Sequence, residues 1–226
     1  EISACLVGSE MCIRDRGEDD QSYKFYVGDL KFADLNNDGK INKGDWTLAN
    51  PGDFRKIGNS SSRYPYSFDL SADWKGFDIR GFFQGIGKRD WYAGGGNHYF
   101  WGIYAQPWTN VQTHNLDHWT PENPNAYYPR VKAYIAESTG SELACVQTRY
   151  MQDASYLRMK NLTIGYTLPQ DLTRKLNIER VRFYFSGENL FEITHLKANL
   201  DPEALDSSSK VYPLQRSYSF GVNLTF

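Results

Sequence analysis

Ser217 to Phe226 reads S-Y-S-F-G-V-N-L-T-F. Tyr218, Phe220, Val222, Leu224 and Phe226 fall on one side of an extended chain, and Ser217, Ser219, Gly221, Asn223 and Thr225 fall on the other. Successive side chains of a strand point to opposite faces, so the stretch predicts a strand with one apolar face and one small, polar face. Such a strand suits a wall between lipid and water, where about 9 to 11 tilted residues cross an outer membrane. A half-buried strand of a soluble sandwich alternates in the same way, and this stretch alone leaves both open.

The same period of two recurs upstream. Tyr66, Phe68, Leu70, Ala72 and Trp74 alternate with Ser67, Asp69, Ser71 and Asp73. Lys75-Gly76 predicts a tight turn, after which Phe77, Ile79, Gly81 and Phe83 resume the pattern. Leu162, Ile164, Tyr166 and Leu168 share one parity while Leu157 and Met159 have the other, which predicts a bulge near Lys160-Asn161. Pro169 to Ile178 suits one or two helical turns with Pro near the start. Val181, Phe183 and Phe185 alternate with Arg182, Tyr184 and Ser186, and Ser22 to Val27 suits the end of a further strand.

The reading is all-β, with five to six antiparallel strands. Their connections alternate between short (75–76, 169–179) and long (28–65, 88–155, 190–216), as in outer-membrane barrels with short periplasmic turns and long extracellular loops. Gly87 to Ser155 shows no periodicity, an improbable connection inside a compact soluble domain. Single-chain barrels need about eight strands or more, so this chain is expected to be a piece of a larger one.

Composition narrows the classes. A formal charge of -2 over 226 residues gives no footprint for nucleic acid. No apolar run reaches the roughly 18 residues that a membrane-spanning helix needs, which leaves a barrel with a polar lumen open. Aromatic residues make up 15%, a content that favours strands and interface girdles. Residues 1–16 fit poorly with the rest: C-L-V-G-S-E-M-C-I-R-D (5–15) resembles a translated sequencing-adapter artefact, and the segment is expected to be non-native. Residues 17–226 then form the partial barrel, in which Cys145 stands alone and can make no intrachain disulfide.

Asp34 to Asp45, D-L-N-N-D-G-K-I-N-K-G-D, carries the strongest chemical signal. Side-chain oxygens stand at loop positions 1 (Asp34), 3 (Asn36), 5 (Asp38), 9 (Asn42) and 12 (Asp45), with Gly39 at 6 and the Lys40 carbonyl at 7. That is the spacing of an EF-hand-type calcium loop: hard oxygens around a cation, a glycine at the sharp bend and a closing carboxylate. Asp45 is shorter than the usual Glu, and Ile41 supplies an apolar anchor. No clear helices flank the loop, so structural Ca2+ is expected and not a helix-opening sensor. An Asx-rich turn with accidental spacing is the bland alternative.

The stretch W-Y-A-G-G-G-N-H-Y-F-W-G-I-Y-A-Q-P-W (91–108) could stack sugars on Trp91, Tyr92, Tyr99 and Trp101, but is expected to form the packed core of a folded loop. His114 and His118 are four apart with no evident third ligand, so loop packing is their expected role. No nucleophile with its base, phosphate-cradling loop or catalytic carboxylate pair is recognisable, and no enzyme is expected.

In order, G-D-L-K-F-A-D-L-N-N-D-G-K-I-N (28–42), H-W-T-P-E-N-P-N-A-Y-Y-P-R (118–130), S-Y-L-R-M-K-N-L-T-I-G-Y-T-L-P (155–169), F-S-G-E-N-L-F (185–191) and the final S-F-G-V-N-L-T-F resemble the carboxyl-terminal part of SusC/RagA-type TonB-linked outer-membrane transporters, over roughly residues 22–226. The resemblance implies a 22-stranded transmembrane β-barrel with an internal plug in the outer membrane of Bacteroidota-type bacteria. It implies a SusD-like surface lipoprotein as partner, contact with outer-membrane lipid, and TonB-powered import of oligosaccharides or peptides. It also implies that the terminal aromatic, Phe226, is read by the barrel-assembly machinery. The calcium positions carry over at Asp34, Asn36, Asp38, Lys40, Asn42 and Asp45. No TonB box or plug is recognisable, so coupling to TonB is expected through a missing amino-terminal region. A secreted, calcium-stabilised β-sandwich that binds carbohydrate is the rival expectation.

Overall fold

A computed structural model of the chain describes residues 2–5, 27–42, 44–45, 47–138, 141–198, 200–205, 212 and 214–226. Most of the strand expected at 22–27, and all but four residues of the segment 1–16, lie outside these. The chain divides into two units, one of residues 62–89, 154–196 and 212–226, the other of residues 1–61, 90–153 and 197–211. Nine strands are described: β1 (Ile2–Cys5), β2 (Phe54–Gly58), β3 (Arg63–Trp74), β4 (Phe77–Lys88), β5 (Asp90–Trp91), β6 (Gln152–Asp153), β7 (Tyr156–Thr167), β8 (Arg180–Thr194) and β9 (Ser217–Thr225). Among the described residues no helix is long and apolar enough to cross a membrane.

The first unit is a five-stranded sheet in the order β3-β4-β7-β8-β9, antiparallel throughout. Its geometry follows from the alternation. Lys75 and Gly76 both take positive φ (47° and 85°), the primed turn whose twist matches a hairpin, and Trp74 pairs with Phe77 across it. The register of β7 shifts between Met159 and Asn161, so the bulge falls at Lys160, where the parity change predicts it. The shift keeps apolar residues together: Phe83, Met159 and Phe191 register side by side beyond it. After β7, a helical turn (α2, Gln170–Thr173) and a 3-10 turn (Arg174–Leu176) end at Asn177, whose left-handed φ of 54° turns the chain into β8.

Two strands run longer than the alternation predicts. β4 continues to Lys88 and β8 to Thr194, into tracts read as loop. Polar pairing across strands hides this in the sequence: Arg158 of β7 pairs with Glu192 of β8 in register and as an ion pair.

Residues across the sheet sort into rows. Ala72, Ile79, Ile164, Phe185 and Phe220 form one, and Trp74, Phe77, Tyr166, Phe183 and Val222 the next. Ring contacts run along them, Phe77 to Tyr166 at 4.4 Å and Phe185 to Phe220 at 5.1 Å between centroids. Most of this apolar face is exposed: Phe220 keeps 82% of its surface, Trp74 69% and Ile79 44%. The row flanking the first on its other side, Ser71, Arg80, Thr163, Ser186 and Ser219, is polar and lies on the opposite face.

The second unit has little regular structure. β1 pairs with β2 and β5 with β6, and a single helical turn (α1, His98–Trp101) is capped by the Asn97 side chain, which accepts from the Phe100 N–H. Its core is aromatic: Phe100, Trp101, Tyr104, Tyr128 and Tyr150 are 0–1% exposed. Tyr104 stacks on Tyr128 at 5.6 Å, and Trp101 meets Tyr150 edge-on at 5.1 Å. Irregular backbone cannot satisfy its own carbonyls when buried, and here aromatic side chains do so. The Tyr104 hydroxyl donates to Pro129 O (2.6 Å), that of Tyr128 to Phe100 O (3.1 Å), and Trp101 Nε1 to Ala93 O (3.0 Å). Tyrosine and tryptophan are the side chains that fill a core and still donate a hydrogen bond.

Candidate functional site

The loop 34–45 is organised by its own side chains. Asp34 Oδ2 accepts from the Gly39 N–H (2.8 Å), Asn36 Oδ1 from Asp38 N–H (3.0 Å), Asp38 Oδ1 from Lys40 N–H (2.7 Å) and Asn42 Oδ1 from Gly44 N–H (2.7 Å). One side-chain oxygen at each of loop positions 1, 3, 5 and 9 is thereby fixed to the backbone. Gly39 sits at φ 79°, a conformation that costs a glycine little. The Lys40 N–H, and after it the Asn36 amide, hold the Asp38 carboxyl below the usual carboxylate range.

Asp34 Oδ1 is buried and has no hydrogen-bond partner. A buried carboxylate oxygen is costly unless something positive or a donor meets it, so this atom fits a cation at loop position 1. Asn36, Asp38 and Asn42 are joined by the Asn36 and Asn42 amides on Asp38, while Asp34 holds the Gly39 N–H. Asp45 is not drawn in with them. Its N–H donates to Asn50 O (3.0 Å) and its Oδ2 accepts from Asn50 Nδ2 (2.8 Å). Among the described residues, no three His, Cys, Asp or Glu side chains gather as a metal-binding group. The side-chain oxygens at loop positions 1, 3, 5 and 9, carboxylate and amide, are of the kind that suits Ca2+ over a transition metal.

Two features lie outside the twelve-residue loop frame. Asp53, eight residues past the loop, is 2% exposed and spans it: Oδ1 accepts from Leu35 N–H (2.7 Å) and Oδ2 from Asn42 N–H (2.8 Å). Just before the loop, Asp29 is also 2% exposed; it receives Arg130 Nε at 2.6 Å and Lys132 Nζ at 2.9 Å. Lys132 also reaches Glu142 Oε1 at 2.9 Å, and Glu142 Oε2 accepts the Leu30 N–H at 3.0 Å. Burial pushes the Glu142 carboxyl up, against the pull of Lys132. This chain of charges ties residues 29–30 to the long segment between β5 and β6. At Gly28 the approach is so close that a Cβ would run into the Trp119 ring.

In the aromatic stretch, Trp91 is 7% and Trp101 0% exposed, and the Tyr92 hydroxyl donates to Leu143 O (2.9 Å) and Cys145 O (3.1 Å). Trp91 and Trp101 are core, as the packing expectation has it, and Tyr92 is half-buried; Tyr99, at 36%, is the exposed member. His114 and His118 are not brought together on a shared ligand: each has its own carbonyl, Phe100 O and Asn115 O, both at 3.2 Å.

No family model matches the chain. It is 29% identical over 212 residues to TonB-dependent receptor P3 of Formosa agariphila, covering 86% of this chain and 19% of that protein. It is 26% identical over 213 residues to TonB-dependent receptor P26 of the same organism, covering 88% and 20%. The chain thus spans about a fifth of the length of these curated relatives. Among solved structures, one of the RagAB peptide transporter is 28% identical with a TM-score of 0.53, over 71% of this chain and 17% of that one. The RagAB peptide importer in its open-open state is 25% identical with a TM-score of 0.60, over 88% and 21%. These likenesses agree with the family to which the sequence motifs point.

Proposed function

We infer that this chain, a relative of TonB-dependent receptors of the SusC/RagA type, is a stretch of wall and surface loop in a 22-stranded outer-membrane importer. One observation carries the reading: a sheet with uncovered apolar rows on one face and polar residues and ion pairs on the other. A lipid-facing wall with a watery lumen needs both faces. The short turn at Lys75-Gly76 and the connection 168–179 leave one end of the sheet, and the connections 89–155 and 195–216 leave the other, which are the periplasmic and extracellular ends of this barrel.

In the importer, the aromatic unit is an extracellular loop. Its packed hydroxyls and buried charges give a fixed surface, on which a SusD-like lipoprotein closes and past which an oligosaccharide or peptide enters. The solved neighbours are described as peptide importers, which supports peptides as readily as glycans. Gating and coupling to TonB belong to a plug and amino-terminal segment outside this chain. Ca2+ in the loop would be held by Asp34, Asn36, Asp38, the Lys40 carbonyl and Asn42, with Asp45 turning from Asn50 to close the shell. The ion supplies charge neutralisation and stiffness, while Gly39 and the four backbone N–H groups position the oxygens. None of these residues performs bond chemistry, and the chain's contribution is that of a transporter.

The test is extraction and folding state. The full-length protein that carries this chain is expected in the outer-membrane fraction, requiring detergent and migrating as a compact band in SDS until boiled. Recovery as a soluble monomer without detergent overturns the reading in favour of a secreted sandwich. For the ion, Asp34→Ala is expected to abolish calcium-dependent protection of residues 34–53 from proteolysis; protection unchanged by chelator removes the calcium claim.

A further inference from the structure

We propose that Asp53 is the positioning residue of the calcium loop, holding its first and ninth positions at a fixed spacing without lending an oxygen to the ion. The inference rests on the calcium reading above. Asp53 lies outside the twelve-residue ligand frame, so the loop spacing assigns it no role.

Its geometry does. Both carboxylate oxygens are committed to backbone donors, Oδ1 to Leu35 N–H at 2.7 Å and Oδ2 to Asn42 N–H at 2.8 Å. The Asp53 N–H donates in turn to Asn42 O at 3.0 Å. Leu35 directly follows the ligand Asp34, and Asn42 is itself a ligand. One buried side chain therefore clamps the loop at its entry and three-quarters of the way round. Gly52 before it takes φ 57°, and Phe54 after it begins β2. The clamp thus anchors the loop to β2.

Charge-assisted hydrogen bonds from a carboxylate to backbone N–H are about twice as strong as neutral ones. They set the distance between Asp34, whose Oδ1 has no partner, and the oxygens on the other side of the loop. Without the clamp the same ligands must be gathered by the ion itself, at a cost in affinity. Loss of such an outer partner typically lowers metal affinity by about 10- to 100-fold.

The test uses the full-length protein in detergent, with Tb3+ as probe and Asp34→Ala as the blank for other sites. Asp53→Asn keeps the size and one acceptor oxygen but gives up the second. It is expected to weaken Tb3+ binding by about 10- to 100-fold, while luminescence lifetimes in H2O and D2O give the same number of bound waters at saturation as in the unaltered protein. Asp53→Ala, which loses both bonds, is expected to weaken it further, and Asp53→Glu to restore part of the loss.

One more bound water in Asp53→Asn would make Asp53 a direct ligand and overturn the proposal. Unchanged affinity with a less stable loop would overturn it too, leaving a purely structural role. If Asp34→Ala and the unaltered protein bind Tb3+ alike, it is the calcium reading that fails.

Discussion

Asp78 and Arg182, 104 residues apart, form a two-pronged ion pair that crosses the whole width of β7: Arg182 Nε lies 2.9 Å from Asp78 Oδ1 and Nη2 lies 2.5 Å from Oδ2. β7 offers Gly165 beneath them, and a Cβ there would collide with both partners. The pair needs a strand without a side chain at that point. It stands on the polar face, the side that the proposed wall turns to its lumen; water tolerates such a pair and lipid would not.

Gly165→Val is therefore expected to part Asp78 from Arg182. Part-exposed pairs contribute little, about 1 kcal/mol at most, so the larger effect is steric. The unboiled, compact band in SDS should melt at lower temperature in Gly165→Val than in Asp78→Asn, which removes the charge without crowding the strand. Equal melting in both would show that the ion pair alone matters there.

Neighbouring residues on one strand should respond in opposite ways. Ile164 lies in an apolar row and Thr163 in a polar one. Arginine on the lipid face near the midplane costs about 2–4 kcal/mol. Ile164→Arg should lower the yield of folded barrel severely and Thr163→Arg only slightly, as read by the ratio of compact to unfolded bands.

Trp101 is fully buried among Phe100, Tyr128 and Tyr150. Trp101→Ala should cost about 3–5 kcal/mol and open residues 90–153 to protease while leaving the compact band in place. Barrel and loop losing structure together would deny that the loop has a core of its own.

Alkaline pH should open the same loop. Burial pushes the Tyr127 hydroxyl up to about 12, and those of Tyr104 and Tyr128 higher still. Unfolded tyrosines ionise near 10, so the folded state keeps its protons longer. Stability is intact below about pH 10 and falls as pH rises from there through the folded values. Absorbance at 295 nm should show a late-titrating class of tyrosines that vanishes in Trp101→Ala; a single class near 10 in the folded protein contradicts the buried core.

Much of the sheet is legible in the sequence because each strand reports its own faces. The alternation at 66–74 and 217–226, the positive-φ turn at Lys75-Gly76 and the parity change at Lys160 are local signals, and the structure follows them. The ends of β4 and β8 are not legible, since Glu192 becomes a strand residue through Arg158, which lies 34 residues away. The site divides in the same way. Asp34, Asn36, Asp38 and Asn42 stand within a few residues of one another and their spacing reads directly. Asp53 makes its bonds with backbone N–H groups, which any residue offers, so no pattern of residue types marks it. Asp29 meets Arg130 101 residues away, a contact that appears only once the chain has folded. The aromatic stretch was legible as a packed core, but not which rings are buried: Tyr99 and Trp101 differ by two residues and by everything in exposure.

Apolar rows that face lipid should part neighbouring residues of one strand between lipid and water. Single cysteines at 164 and 163, in the full-length protein with its other cysteines replaced, can each carry a small fluorophore in bilayers. The label at 164 should be quenched by brominated lipid tails and untouched by aqueous iodide, and the label at 163 should show the reverse. Iodide quenching at 164 with no effect of brominated lipid would contradict the membrane wall.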